Sequence, residues 1–151
     1  MSTGERVGVI GLGNIGGAVA ANLVADGHHV SVFDLNANRV QGLVGTGARG
    51  AANAAQVGER STVTFLSLPT PRVMEAVADE WLEGAPRDAI LVDLSTNAPA
   101  MVERDGARIA DAERHLLECP LTGGAPGAQG RMLVFMVGGE PVVYERVRPL
   151  L

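Results

Sequence analysis

Near the amino terminus, Gly11-Leu12-Gly13-Asn14-Ile15-Gly16 places three glycines at the spacing G-x-G-x-x-G. The chemistry that suits this spacing is anion binding by the main chain. Gly11 makes a tight turn, Gly13 lets the backbone approach a pyrophosphate, and Gly16 lets a following helix close on the preceding strand. The first turn of that helix then offers free N–H groups and a positive dipole end. Asp34 stands 18 residues beyond Gly16. A carboxylate there accepts from both ribose hydroxyls of NAD and repels the 2'-phosphate of NADP, so NAD is the expected cofactor and NADP is disfavoured. Arg39, a full helical turn further on, could serve a 2'-phosphate but reads more readily as a solvated helix residue.

The glycine motif means little unless it joins a strand to a helix. The chain supplies that setting. Residues 6–10 (RVGVI) form a β-branched run, and from 14 to 26 the apolar residues recur at helical spacing until Gly27 stops them. Residues 29–33 (HVSVF) read as a second strand, and Asn36 as the cap of a helix to residue 44. The pattern then repeats. Helices are predicted at 51–57, 72–80, 99–112 and 141–150, and strands at 63–68, 89–92, 115–118 and 133–137. A Pro- and Gly-rich loop is expected at 119–130. Alternating strands and helices of this length specify an α/β fold, a Rossmann-type doubly wound parallel sheet in a single domain over residues 1–151. Trp81 is expected to pack beneath an 80–86 loop. The last helix has no capping signal, which reads as a cut.

Composition removes several other functions. The chain has 151 residues, 46% of them hydrophobic, which is enough to bury a core and excludes disorder or a disulfide miniprotein. A net charge of −5 with 3% aromatic residues leaves no basic stripe and few stacking faces, so no nucleic acid partner is expected. The single Cys119 forms no internal disulfide and no apolar run is long enough for a membrane span, so a cytoplasmic protein is expected. Arg6 and the apolar stretch to Ala18-Val19-Ala20 imitate a secretory signal, but Glu5, Asn14 and the regular glycines argue against one. His28, His29 and His115 lack metal-ligand spacing, so no metal is expected. Cys119 has no partnered base and reads as a small buried hydrophobe. All twelve basic residues are Arg, so lysine chemistry is absent from the sequence.

Three later segments carry a resemblance. With the glycine motif and Ala21-Asn22-Leu23, the stretches Phe65-Leu66-Ser67-Leu68-Pro69, Asp93-Leu94-Ser95-Thr96-Asn97-Ala98-Pro99 and Cys119-Pro120-Leu121-Thr122-Gly123-Gly124-Ala125-Pro126-Gly127-Ala128 resemble the β-hydroxyacid dehydrogenase family. Met136-Val137-Gly138-Gly139 agrees as well. The resemblance implies that Gly11, Leu12, Gly13, Asn14, Ile15 and Gly16 hold the pyrophosphate and Asp34 the adenosine ribose. Leu68 and Pro69 would form a loop over the cofactor, and Thr96 would lie next to the nicotinamide. Thr122, Gly123 and Gly124 match the family's Ser-Gly-Gly, which binds the substrate's carboxylate and makes Thr122 the catalytic-site hydroxyl. Consecutive glycine N–H groups with one hydroxyl can hold such an anion without a cationic side chain.

The resemblance also has departures. Thr122 replaces a Ser, Arg131 stands where the family has Gly, and Val73 stands where Asn is frequent. The family continues into a helical domain that carries a catalytic lysine and builds the dimer. This chain lacks both, so it is expected to be the cofactor half of a hydroxy-acid dehydrogenase, homo-oligomeric in full-length form and nearly inactive alone. The alternatives are a non-catalytic NAD(H)-binding module and a fragment of an imine reductase-like enzyme.

Overall fold

The computed structural model describes residues 5–151. The first half of the chain forms β1 (Arg6–Ile10), α1 (Asn14–Ala25), β2 (His29–Phe33), α2 (Ala37–Val44), β3 (Arg49–Gly50), α3 (Ala54–Arg60), β4 (Val63–Leu66) and α4 (Pro71–Gly84). The second half forms β5 (Ile90–Asp93), α5 (Pro99–Asp111), β6 (His115–Glu118), β7 (Leu121–Thr122), α6 (Gly124–Gln129), β8 (Val134–Phe135) and α7 (Pro141–Val147), ending in a 3-10 turn at Arg148–Leu150. Strands β1 to β6 form one parallel sheet in the order β3-β2-β1-β4-β5-β6. This is the doubly wound sheet that the sequence predicts. The order reverses between β1 and β4, and the crevice beyond the carboxyl ends of those strands is where ligands bind in such sheets.

Each strand side has its own core. Val7, Val9, Phe65, Ile90, Val92 and Leu117 face α1, α2 and α7, whereas Ile10, Leu66 and Leu91 face α3, α4 and α5. The central strands β4 and β5 are buried throughout, as a parallel sheet covered on both faces requires. On the second face Trp81 is fully buried in the last turns of α4, not beneath a loop. Its Nε1 donates to Thr64 Oγ1 at 3.0 Å, Thr64 and Ser61 hydroxyls meet at 2.8 Å, and Ser61 Oγ donates to the Val57 carbonyl at 2.6 Å. Every polar atom of that chain is therefore satisfied, which removes the cost of burying it.

Other expected elements need correction as well. The helix expected at 51–57 is α3, which starts three residues later because the Asn53 side chain accepts from Gln56 N at 2.8 Å and caps it there. The segment expected as a loop at 119–130 contains β7 and α6. The strand expected at 133–137 shrinks to β8, which pairs antiparallel with the two residues of β7 and can be no longer than its partner.

At the opposite end of the sheet, Asp88 accepts from His115 Nε2 at 2.7 Å and from Arg146 Nη1 at 3.0 Å, joining the β5 and β6 entrances to α7. His115, then Arg146, hold the Asp88 carboxyl below its ordinary value. A depressed carboxyl contributes stability above its unfolded pKa and loses it as the pH falls through the folded one. The Tm gap between the wild type and Asp88→Asn is thus expected to be present at about pH 5 and to close towards pH 3 in thermal melts. A gap that widened on acidification would contradict this pairing.

Candidate functional site

The glycine turn leaves β1 at the switch point. Gly11 adopts φ +88, a left-handed conformation that favours glycine, and its N–H donates to the Phe33 carbonyl at 3.0 Å. A Cβ on Gly16 would lie 1.8 Å from the Gly11 carbonyl oxygen, so the helix can approach the turn only as glycine. Gly13 differs, because a Cβ there meets nothing within 4 Å. The fold itself sets no demand for glycine at that position. Gly13 also precedes α1 with no side-chain cap and with no acidic residue in the first turn, leaving the leading N–H groups of a 12-residue helix open to an anion.

Asp34 follows β2 and fastens the turn. Its Oδ2 accepts from Leu12 N and its Oδ1 from Asn36 N, each at 2.7 Å. Leu12 is accordingly drawn inward, with its side chain buried in the core. Arg39 Nη1 lies 3.6 Å from Asp34 Oδ2 with half its side chain exposed, so it is an ion-pair partner of Asp34, not merely a solvated helix residue.

A cleft of about 1050 Å³ runs along these elements. Among the predicted site residues it is lined by Gly11, Gly13, Asn14, Ile15, Asp34, Leu68 and Pro69, and Arg39 and Val73 also reach it. Its volume is of the order of a cofactor-sized site. A smaller pocket of about 270 Å³ adjoins it, sharing Ile15, Leu68 and Pro69 as walls and reaching Ser95, Thr96, Asn97 and Leu121. Leu12 and Gly16 line neither space, since one is core and the other packs on Gly11. An open main-chain turn, uncapped helical N–H groups and a carboxylate at the second strand suit the phosphate and ribose of a dinucleotide.

The floor of the smaller pocket rests on Asp93, which is 2% exposed at the end of β5. It accepts from Ser95 N at 3.0 Å and from Asn97 Nδ2 at 2.6 Å. Burial pushes its carboxyl above the ordinary value, an effect that the Ser95 and Asn97 hydrogen bonds oppose. Ser95 Oγ donates to the Leu68 carbonyl at 3.2 Å, linking the loops after β4 and β5. Cys119 is fully buried nearby, and burial followed by the Asp93 charge pushes its thiol up to about 11, so it is not a thiolate at neutral pH.

Thr122 lies on β7, exposed, one residue beyond the pocket-lining Leu121, and it does not itself line either space. Gly123 (φ +125) and Gly124 (φ +60) then turn the chain into α6. Residue 131, glycine in the family, is also left-handed at φ +58. Arg131 accepts that backbone while its Nη1 meets both Asp26 oxygens at 2.9 and 2.8 Å, which ties the end of the α6 segment to the end of α1. Asn22 Nδ2 adds a bond to the Ala128 carbonyl at 2.9 Å.

Sequence reasoning missed the Asp93–Asn97 pairing and set Arg39 among the solvated residues. Asp93 and Asn97 are four positions apart, the spacing of a looped-back side chain, but only the burial of Asp93 makes the pairing matter.

Comparison with known proteins agrees with this geometry. Residues 6–151 match the family described as the NAD binding domain of 6-phosphogluconate dehydrogenase. The 3-hydroxyisobutyrate dehydrogenase of Pseudomonas aeruginosa is 38% identical over 148 residues, covering 96% of this chain and 50% of the relative. The structure of the Mycobacterium tuberculosis 3-hydroxyisobutyrate dehydrogenase with L-serine superposes with a TM-score of 0.94 at 30% identity, over 98% of this chain and 51% of that one. Psf3 in complex with NADP+ superposes with a TM-score of 0.87 at 32% identity, over 95% and 52%. The chain thus spans about half the length of the curated relatives it matches. With the glycine turn, the parallel sheet order and a match over residues 6–151 in agreement, the chain belongs to the family of the NAD binding domain of 6-phosphogluconate dehydrogenase.

Proposed function

We propose that this chain is the cofactor half of an enzyme that moves a hydride between NAD and a small hydroxy acid. The observation that carries this reading is the adjacency of two spaces with shared walls at Ile15, Leu68 and Pro69: one lies at the glycine turn and Asp34, and the other reaches Thr96 and Leu121, one residue short of Thr122. In the proposed roles, Gly11 to Gly16 hold the pyrophosphate, Asp34 the adenosine ribose, Leu68 and Pro69 cover the cofactor, and Thr96 borders the nicotinamide. NAD, when bound, supplies the hydride acceptor. Thr122 with the N–H groups of Gly123 and Gly124 holds the substrate carboxylate. The Asp34 carboxylate disfavours a 2'-phosphate, although Arg39 beside it softens that preference.

No lysine is present to act as general acid or base. Loss of such a group typically costs about 10² to 10⁴ in rate, so we expect the chain alone to be nearly inactive. Relatives twice its length would supply that group from a second, helical half and work as homo-oligomers. A buried free thiol suits the reducing cytoplasm. The lack of lysine also favours a second reading, an NAD(H)-binding module without catalysis of its own.

The test is a titration of the ¹⁵N-labelled chain, saturated with NADH, by 3-hydroxyisobutyrate. The Gly123 and Gly124 amide signals are expected to shift, and Thr122→Val to weaken the effect roughly 10-fold or more by removing a hydrogen bond to a charged group. Shifts elsewhere, or shifts indifferent to Thr122→Val, would defeat the carboxylate assignment.

A further inference from the structure

The two loops that wall the smaller pocket are fastened together by one side chain. The loop after β4 supplies Leu68 and Pro69 to the pocket, and the loop after β5 supplies Ser95 and Thr96. Strands β4 and β5 run in register to Leu66 and Asp93, and Leu94 N then donates to the Leu66 carbonyl at 2.9 Å. Past that point, no main-chain hydrogen bond joins the two loops among the described residues. The Ser95 hydroxyl bridges them instead, donating to the Leu68 carbonyl at 3.2 Å. Ser95 is set up for this by its own N–H, which donates to Asp93 Oδ1 at 3.0 Å and turns the chain back over the end of β5. A serine hydroxyl has a single hydrogen to give. With that hydrogen committed to Leu68, Ser95 acts on a ligand through the loop and not as a donor to it.

Leu68 and Pro69, with Ile15 and Leu121, give the pocket apolar walls that suit a flat ring. No other side-chain hydrogen bond crosses between the two loops among the described residues, so Ser95 is the polar tie across the gap. Resting on the NAD reading above, we propose that Ser95 is a positioning residue for the nicotinamide. Its bond to the Leu68 carbonyl holds the loop after β4 at the distance from Thr96 that admits the ring, and so restricts how the ring lies towards the substrate. A ring already held in one geometry spares the entropy of arranging it during the reaction. The pyrophosphate and adenosine are assigned to Gly11, Gly13 and Asp34, in the larger space that Ser95 does not line, so the effect of Ser95 is confined to the ring end.

NADH and ADP-ribose, which lacks the ring, separate this role from general cofactor binding. By calorimetry, Ser95→Ala is expected to bind NADH about 5-fold more weakly than the wild type and ADP-ribose within about 2-fold of it. Ser95→Thr keeps the hydroxyl and is expected to stay within about 2-fold of the wild type for both ligands. In the ligand-free chain, the Leu68 carbonyl ¹³C signal is expected to move in Ser95→Ala and to hold its place in Ser95→Thr. Unchanged NADH affinity in Ser95→Ala would overturn the proposal, and so would an equal loss for NADH and ADP-ribose. A Ser95→Thr variant as weak as Ser95→Ala, or a Leu68 signal indifferent to Ser95→Ala, would count against it in the same way, since the hydroxyl would then not be the tie. Failure of the wild type to bind either ligand would instead sink the NAD reading on which the proposal rests.

Discussion

Gly13→Val is expected to weaken NADH binding at least 100-fold, about 2.7 kcal/mol, while moving the Tm by less than about 2 °C. The separation follows from the local geometry. Gly13 has φ −68 and ψ −161, an extended backbone open to any L-residue, and a Cβ placed on it meets no protein atom within 4 Å. The space around Gly13 does not demand glycine, which fits the pyrophosphate contact proposed for it. A valine side chain would hold the pyrophosphate away from the free N–H groups that start α1. Gly16→Ala makes the contrast, since its methyl group would collide with the Gly11 carbonyl and cost stability and binding together. Fluorescence titration alongside a thermal melt reads both quantities. Unchanged NADH affinity in Gly13→Val would mean that the dinucleotide does not cross this turn.

The largest stability effect is expected at Trp81. Trp81→Ala should lower the unfolding free energy by about 3–5 kcal/mol in urea melts. The ring is fully buried in the core shared with Val57, Leu66, Met74 and Ile109, and its removal leaves a cavity there. It also takes the donor from Thr64 Oγ1. For a domain whose total stability is of the order of 5–15 kcal/mol, this change brings the chain near its unfolding threshold. Trp81→Phe keeps most of the volume and should cost clearly less. A loss below about 1 kcal/mol in Trp81→Ala would show that the second face of the sheet contributes little to the fold.

Local signals made the first β-α-β unit legible in the sequence. Gly27, at φ +86, ends α1 where the helical pattern stops, and the Asn36 side chain accepts from Asn38 N at 3.0 Å at the predicted start of α2. Features set by distant partners were not legible. The two-residue β3 exists because Arg49 and Gly50 meet the edge of β2, and neither residue favours strands by itself. The run 133–137 alternates as a strand should, with Val134 and Met136 exposed and Phe135 and Val137 against the core, but β7 gives it only two partners. The helix expected to end at residue 80 is α4, and the buried side of Met74, Ala78 and Trp81 carries it on to Gly84. Within the site, the glycine turn, Asp34, Leu68, Pro69 and Thr96 all come to the carboxyl ends of the strands, because topology alone puts them there. Arg39 depended on how α2 leaves Asp34, and Asn97 on the burial of a carboxylate, neither of which spacing reveals.

The central claim is a cleft built for NAD at the switch point of the sheet, and parallel calorimetric titration of this chain with NADH and NADPH tests it most directly. One site per chain is expected, with NADH bound about 10-fold or more tightly than NADPH, because in its proposed role Asp34 holds the ribose and repels a 2'-phosphate. Tighter binding of NADPH, or no binding of either dinucleotide by the folded chain, would contradict it.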